Sequence, residues 1–414
     1  MASLQPVRGT HDILAEEFRL HKSLTDTAAE VASRYGFREM TTPIFEFTEV
    51  FSRTLGDTSD IVTKEMYTFE DRGGESVTLR PEFTAGIARA FMSNGMAHET
   101  PVKTFSRGPV FRRERPQKGR LRQFHQVNVE TIGVAEPLAD IEIISVGAHI
   151  LDAIGLADAP VLNINTLGDP ESRQAYRAAL VTYFEKYEND LSDDSRDRLR
   201  RNPLRILDSK DPGDIALVAD APEMKPYLNA DSQGFFDAVL GGLEELGIAY
   251  VINPFLVRGL DYYTHTAFEF IAPVDGSNLA VLAGGRYDGL IKTMGGPPTP
   301  GVGWAAGVER LAMIIGVSPP ARRPVAMIPV GAEAQAEALK LTDRLRHAGF
   351  AVELGYSGNM KKRMVRANKA GAVAAVLIGE DELAKNVATI RDMETGEQTE
   401  APLASLEDHL ARYR

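Results

Sequence analysis

"KTFSRGPVFRRERPQKGRLRQFHQVNVETIG", Lys103 to Gly133, holds two β-rich runs on either side of a cationic stretch. Valine, threonine and phenylalanine recur in both runs and favour a pleated, half-buried surface. Between them, Arg112 to Arg122 carries six basic residues against one acid. Two strands joined by so short a connection pair antiparallel, so the spacing predicts a hairpin with a long positive loop.

The pattern extends outward from that hairpin. Residues 14–35 have helical periodicity and end at Gly36, and FREMTTPIFE follows as a strand interrupted at Pro43. SVTLRPEFTAGIARAFM reads as a short strand, then Pro81, then a helix; Asp140 to Leu156 reads as another helix. From 169 to 247 the chain is charged and helical, in the manner of an inserted subdomain. Beta character returns in AYVINPFLVRGLDYYTHTAFEFIA and NLAVLAGGRYDGLI, with WAAGVERLAMII as a closing helix after the loop GGPPTPGVG. Within VRGLDYYTHTAFEF, alternation places Tyr262, Thr264, Thr266, Phe268 and Phe270 on one face. Tyr263, His265, Ala267 and Glu269 fall on the other. Pro319, Pro320 and Pro324 mark a linker, and strands and helices alternate beyond it as in a small α/β domain. The expected organisation is 1–168, an insertion 169–247, a continuation 248–320, and a separate domain 321–414.

Composition narrows the class. The chain has 414 residues, 43% of them hydrophobic, which is usual for a globular protein with a sizeable core. No apolar run nears the roughly 18 residues that cross a bilayer. The N-terminus lacks the basic start and apolar stretch of a secretory signal, so a cytoplasmic enzyme without a membrane partner is expected. Cysteine is absent, which excludes disulfides, thiolate metal sites and cysteine nucleophiles. A net charge of −12 argues against a polyanionic partner, yet the hairpin loop and "KKRMVRANK" (361–369) are locally basic. Local charge steers binding more than the total does.

Common catalytic machines are missing. There is no HExxH, no paired-histidine spacing, no GxSxG elbow and no Walker A motif. "GVGWAA" (301–306) fits a loose dinucleotide pattern, but a proline-rich loop precedes it where that motif needs a strand. Arg112, Arg258 and Arg310 are shared by the plausible site segments. Arginine grips phosphate and carboxylate in a bidentate way, and three of them suggest a triphosphate site without a P-loop.

Taken together, these segments resemble a known family. FRRE with its basic loop and returning strand is similar to motif 2 of class II aminoacyl-tRNA synthetases. GVGWAAGVERL resembles motif 3, and YGFREMTTPIFE resembles motif 1, the dimerisation segment. RGLDYY and GGRYDGL resemble the two signatures of the histidyl-tRNA synthetase family. The resemblance implies an α+β fold: an antiparallel six-stranded sheet flanked by helices, a helical insertion, and a C-terminal α/β anticodon-binding domain. It implies a homodimer that uses ATP and Mg²⁺ to join L-histidine to tRNA(His).

Residue by residue, the resemblance makes Arg258 and Arg112 catalytic, holding the α-phosphate from two sides. Arg112, Glu114 and Arg310 would bind ATP. Glu82, Thr84 and Gln126 would hold the histidine ammonium group; Glu130 and Tyr263 would pair with the imidazole nitrogens, with Tyr262 lining the pocket. Arg115, Lys118, Arg120 and Arg122 would meet the tRNA acceptor end, and Lys361 and Lys362 would meet tRNA from the last domain. Two positions depart from the family pattern: Phe83 stands where a glycine is expected in RPEGTA, and Leu121 where the loop commonly has tyrosine. The rival reading is a catalytically idle paralogue that regulates histidine biosynthesis. Such paralogues generally lack the last domain and degrade the RGLDYY signature, and this chain keeps both.

Overall fold

A computed structural model describes residues 3–56, 61–156, 160–274 and 276–414, which divide into two compact units between Pro319 and Pro320. The first unit opens with α1 (Ala15–Arg34), whose buried Leu20, Leu24, Ala28, Val31 and Ala32 form one apolar stripe. The helix stops where Gly36 takes φ +83°, in the left-handed region that glycine enters without strain.

β1 (Arg38–Glu39) then joins the large sheet, whereas β2 (Phe45–Phe47) goes elsewhere. Pro43 thus separates two strands of different sheets. After α2 (Thr48–Ser52), β3 (Tyr67–Glu70) and β4 (Ser76–Leu79) complete a three-stranded antiparallel sheet in the order β2-β4-β3. α3 (Thr84–Ser93) follows Pro81 as expected.

The expected hairpin is β5 (Val102–Phe111) and β6 (Gln123–Ile132), paired from Val102–Ile132 to Phe111–Gln123. The Arg112 amide, 3.0 Å from the Arg122 carbonyl, closes the base of the loop. Next come α4 (Pro137–Ala153), β7 (Val161–Thr166), α5 (Pro170–Phe184), α6 (Asp193–Arg201), α7 (Pro212–Val218) and α8 (Ala230–Glu245). Asp169 caps α5 and Asn229 caps α8, each by accepting a backbone amide of the first turn. α8 sends Phe236, Val239 and Leu243 into the same buried cluster as α1, α4 and the sheet. The stretch between α5 and the residues just before α8 packs in the other cluster, under Tyr262 and Tyr263.

The chain returns through β8 (Tyr250–Ile252), β9 (Thr264–Val274), β10 (Ser277–Arg286), α9 (Leu290–Thr293), β11 (Gly301–Gly307) and α10 (Val308–Ile315). Together these strands form a sheet ordered β1-β5-β6-β11-β10-β9-β7-β8. Its six central strands are antiparallel, as expected, and the short strands β1 and β8 add parallel edges.

Two local expectations need correction. WAAG does not begin the closing helix: it is part of β11, paired with β6 on one side and β10 on the other. Pairing on both edges overrides the helix propensity of that segment. The alternation across DYYTHT also fails, because the strand starts only at Thr264 and His265 has φ +44°. Tyr262 therefore shares a buried cluster with Tyr263, while Phe268 and Phe270 pack on the helical side.

In the second unit, β12 (Val325–Pro329), α11 (Ala332–His347), β13 (Val352–Leu354), α12 (Met360–Lys369) and β14 (Ala374–Ile378) alternate as expected. α13 (Glu380–Lys385), the hairpin β15 (Val387–Asp392) and β16 (Gln398–Pro402), and α14 (Leu406–Leu410) complete it. The sheet order is β13-β12-β14-β15-β16, parallel for its first three strands and antiparallel for the last two pairings.

Candidate active site

A cavity of about 180 Å³ opens over the large sheet of the first unit. Its lining brings together Glu82, Thr84, Arg112, Glu114, Arg120, Gln126, Arg258, Tyr262, Tyr263 and Arg310, all of which were singled out in the sequence. Glu130 is not part of that lining. Arg115 and Lys118 are exposed on the hairpin loop, and Arg122 is half-buried, donating from Nε to the Glu114 carbonyl.

One end of the cavity is buried and preorganised. Glu82, at the start of α3, accepts the amides of Thr84 (2.7 Å) and Ala85 (2.8 Å). Burial raises its pKa, against those bonds and the nearby Arg112. Gln126 is 8% exposed, and its Oε1 is buried without a partner. An orphaned carbonyl of that kind is costly, so it marks a place for a donor.

Glu130 lies fully buried behind Thr84. Its Oε1 accepts from the Thr84 hydroxyl (2.5 Å) and Asn128 Nδ2 (2.9 Å), and its Oε2 from the Tyr287 hydroxyl (2.6 Å). A carboxylate has about four lone-pair positions, so one remains on Oε2. Burial raises the Glu130 pKa to about 7, opposed by those three bonds. Gly303 stands directly opposite in the register, and a Cβ there would fall 1.6 Å from Glu130 Oε2. Gly284 is similarly constrained, since a Cβ would sit 2.1 Å from the Gly303 carbonyl. The GG of GGRYDGL is therefore inside a strand, where the absence of side chains permits the close approach of its neighbours.

The other end is cationic. Arg258 donates from Nη1 to Glu269 at 3.0 Å, while its buried Nε has no partner. Arg112 donates to the Pro81 carbonyl at 2.9 Å and lies over the Phe124 ring. Arg310 donates to the carbonyls of Gly119 (3.2 Å) and Ala280 (2.7 Å), fastening the hairpin loop to β10. Burial lowers the Arg310 pKa, and Arg120 and Arg112 push it the same way.

The insertion holds the signature segment from behind. Arg173 donates to the carbonyls of Tyr263 (2.9 Å) and Asp261 (3.3 Å), Arg205 to the Arg258 carbonyl (3.2 Å), and Asn202 Nδ2 to the Asp261 carboxylate (2.8 Å). Sequence reasoning missed these three, and also Asn128, Glu269 and Tyr287. Glu269 had a usable signal, since alternation within the strand puts it on the face of Ala267. Tyr287 lay within a quoted signature, but nothing in its spacing points to Glu130. The departures resolve differently: Phe83 is fully buried with the Arg80 guanidinium over its ring, whereas Leu121 lines the cavity.

In the second unit, Lys361 and Lys362 are exposed on α12, whose cap is the Asn359 side chain. Arg363 of the same basic run turns inward to the Pro329 carbonyl and is structural.

Comparison with known proteins places the chain in a family. The family model described as histidyl-tRNA synthetase matches residues 9–168 and 196–311, and that of the anticodon binding domain matches 324–413. The histidine–tRNA ligase of Rhodospirillum rubrum is 60% identical over the full length of both chains, and that of Gluconacetobacter diazotrophicus 55% over 99% of each. The crystal structure of apo Staphylococcus aureus histidyl-tRNA synthetase superposes with a TM-score of 0.83 at 34% identity, covering 98% of this chain and 99% of that one. With RGLDYY lining the cavity and relatives matched end to end, the chain belongs to the histidyl-tRNA synthetase family.

Proposed function

We propose that the cavity carries out both steps by which this chain, a histidine–tRNA ligase, joins L-histidine to tRNA(His) using ATP. The observation that carries the reading is the polarity of the cavity: buried acceptors at one end, three arginines at the other. In the first step the histidine carboxylate attacks the α-phosphorus and pyrophosphate leaves. The nucleophile is already ionised at neutral pH, so no general base is required. Arg258 and Arg112 stabilise charge on the α-phosphate as it builds, as preorganised cations do in a water-poor site. Arg310 holds the far end of the triphosphate.

Glu82, Thr84 and the orphaned Gln126 Oε1 receive the ammonium group. The open lone pair of Glu130 accepts one imidazole N–H, and Tyr263 meets the other nitrogen beside Tyr262. A site built for buried hydrogen bonds rejects substrates that leave them unmade, by up to about 10⁴–10⁵. Mg²⁺ usually binds through one or two carboxylates plus substrate phosphates, and would shield their charge. Of the acids lining the cavity, Glu82 accepts the first amides of α3 and Glu309 accepts the His125 amide, whereas Glu114 has the longer contacts to Arg120 (3.5 Å) and Arg112 (4.0 Å) and would exchange them for the ion.

In the second step the 3′-hydroxyl of the terminal adenosine attacks the acyl carbon and AMP leaves. Arg115, Lys118, Arg120 and Arg122 guide the acceptor end, and residues 321–414 take the anticodon side through Lys361 and Lys362. Exposed Ile44, Phe45, Phe47 and Phe69 support a homodimer through the motif 1 region. No described helix is long and apolar enough to cross a membrane, which accords with work in the cytoplasm.

The test is ATP–pyrophosphate exchange with each of the twenty amino acids, without tRNA. Exchange with histidine alone is expected. No exchange from a folded preparation would favour the regulatory paralogue.

A further inference from the structure

Beside the cavity, a second cluster has the make-up of a metal site. His21 on α1, His125 on β6 and Glu309 in the first turn of α10 each bring a ligand atom within 4.8 Å of the others. No other such trio occurs among the described residues. His125 Nδ1 lies 2.9 Å from Glu309 Oε1, and the His21 and His125 rings meet edge to face with centroids 5.9 Å apart.

His21 is 7% exposed, yet its Nδ1 has no hydrogen-bond partner. Leaving a buried polar atom unpaired is costly, so the position calls for an explanation. Glu17 extends the cluster: its Oε1 is 3.9 Å from His21 Nε2 and 2.9 Å from His11 Nε2. A cleft lined by His11, Glu17, His21 and Glu309 gives a path from solvent.

We propose that His21, His125 and Glu309 bind one divalent transition-metal ion of the Zn²⁺ type, with water from the cleft in the fourth position. Two imidazoles and a carboxylate, plus one open position, suit tetrahedral zinc. Imidazole donors also separate this site from Mg²⁺, which prefers oxygen. Ligand atoms must draw in to about 2.0–2.2 Å from the ion; the His125 Nδ1–Glu309 hydrogen bond is given up to coordination, while the His125 backbone amide, 2.9 Å from both Glu309 oxygens, keeps the carboxylate in place. The ion would tie α1 to β6 and α10 next to Gln126 and Arg310. The assignment rests on these three side chains and stands apart from the ligase reading.

The experiment uses the full-length, untagged, metal-stripped protein, titrated with Co²⁺ by visible absorption and with Zn²⁺ by calorimetry. One equivalent of Co²⁺ should give the intense bands of tetrahedral coordination, be displaced by Zn²⁺, and be indifferent to millimolar Mg²⁺. His21→Asn and, separately, His125→Gln should each weaken Zn²⁺ binding by about 100-fold or more. Absence of saturable binding, or affinity within threefold of the parent in either folded variant, overturns the proposal. Should circular dichroism show that His21→Asn does not fold, His125→Gln decides alone.

Discussion

At one end of the cavity, Glu82, Thr84, Gln126 and Glu130 are each no more than 8% exposed; at the other, the side chains of Arg112 and Arg120 keep 21% and 46% of their surface. The first end is fixed before any ligand arrives: carboxylate oxygens are held by backbone amides, a threonine, an asparagine and a tyrosine. The second is held by carbonyls, single carboxylates and an aromatic ring, and on the proposed reading its guanidinium groups offer their remaining donors to incoming phosphates. Discrimination needs the rigid end, because selectivity comes from polar groups that cannot relax around a wrong substrate. Charge stabilisation needs cations aimed at the reacting phosphate and tolerates more solvent around their neighbours.

The comparison breaks most sharply at Arg258. Arg258→Ala should cut pyrophosphate exchange by about 10²–10³-fold while the thermal transition and histidine binding hold. A loss under tenfold would remove Arg258 from the charge-stabilising end. On the rigid end, Glu130→Gln should lower kcat/KM for histidine by about 10–100-fold, chiefly through KM, with the KM for ATP unchanged. Gly303→Ala should do the same, because its new Cβ would collide with Glu130. A parallel rise in the ATP KM would mean that the two ends are one unit.

A subtler difference lies in pH. The Glu130 pKa is about 7 in the folded chain against an ordinary 4.5, so the folded form binds the extra proton between those values. Its contribution is fully present below pH 4.5 and is lost as pH rises to about 7. Urea unfolding from pH 5 to 8 should therefore show wild type losing stability relative to Glu130→Gln, on the order of 1–3 kcal/mol. A constant difference across that range would place the ionised form in the folded state throughout. The smallest effect concerns the second unit. Lys361→Ala with Lys362→Ala should reduce tRNA charging about 3–10-fold at moderate salt and leave exchange intact. Equal loss in both assays would point away from tRNA contact.

Much of this site could be read from the chain because its chemistry sits in contiguous runs. RGLDYY, RPEFT and QFHQ each deliver neighbouring residues to one cavity, and turn and strand signals locate the elements that carry them. Side chains acting from a distance were not readable. Tyr287 reaches Glu130 only because β10, β11 and β6 are adjacent, and Arg173, Asn202 and Arg205 reach the signature loop only because the insertion folds behind it. Arg286 is another such case: fully buried, it pairs with Asp140 across 146 positions and joins β10 to α4.

The sequence by itself determined most of the element types, the antiparallel hairpin with its cationic loop, the break at Pro319 and Pro320, and the family. Those follow from local periodicity, from proline and glycine, and from motifs that are short enough to be continuous. Only the tertiary structure decided that WAAG is a strand, that Tyr262 and Tyr263 share one side, and that Glu130 stands behind the cavity wall. Strand pairing on both edges and a left-handed His265 set the first two; burial of a carboxylate among three donors set the third. Each is a balance between distant segments, and local propensity carries no record of it.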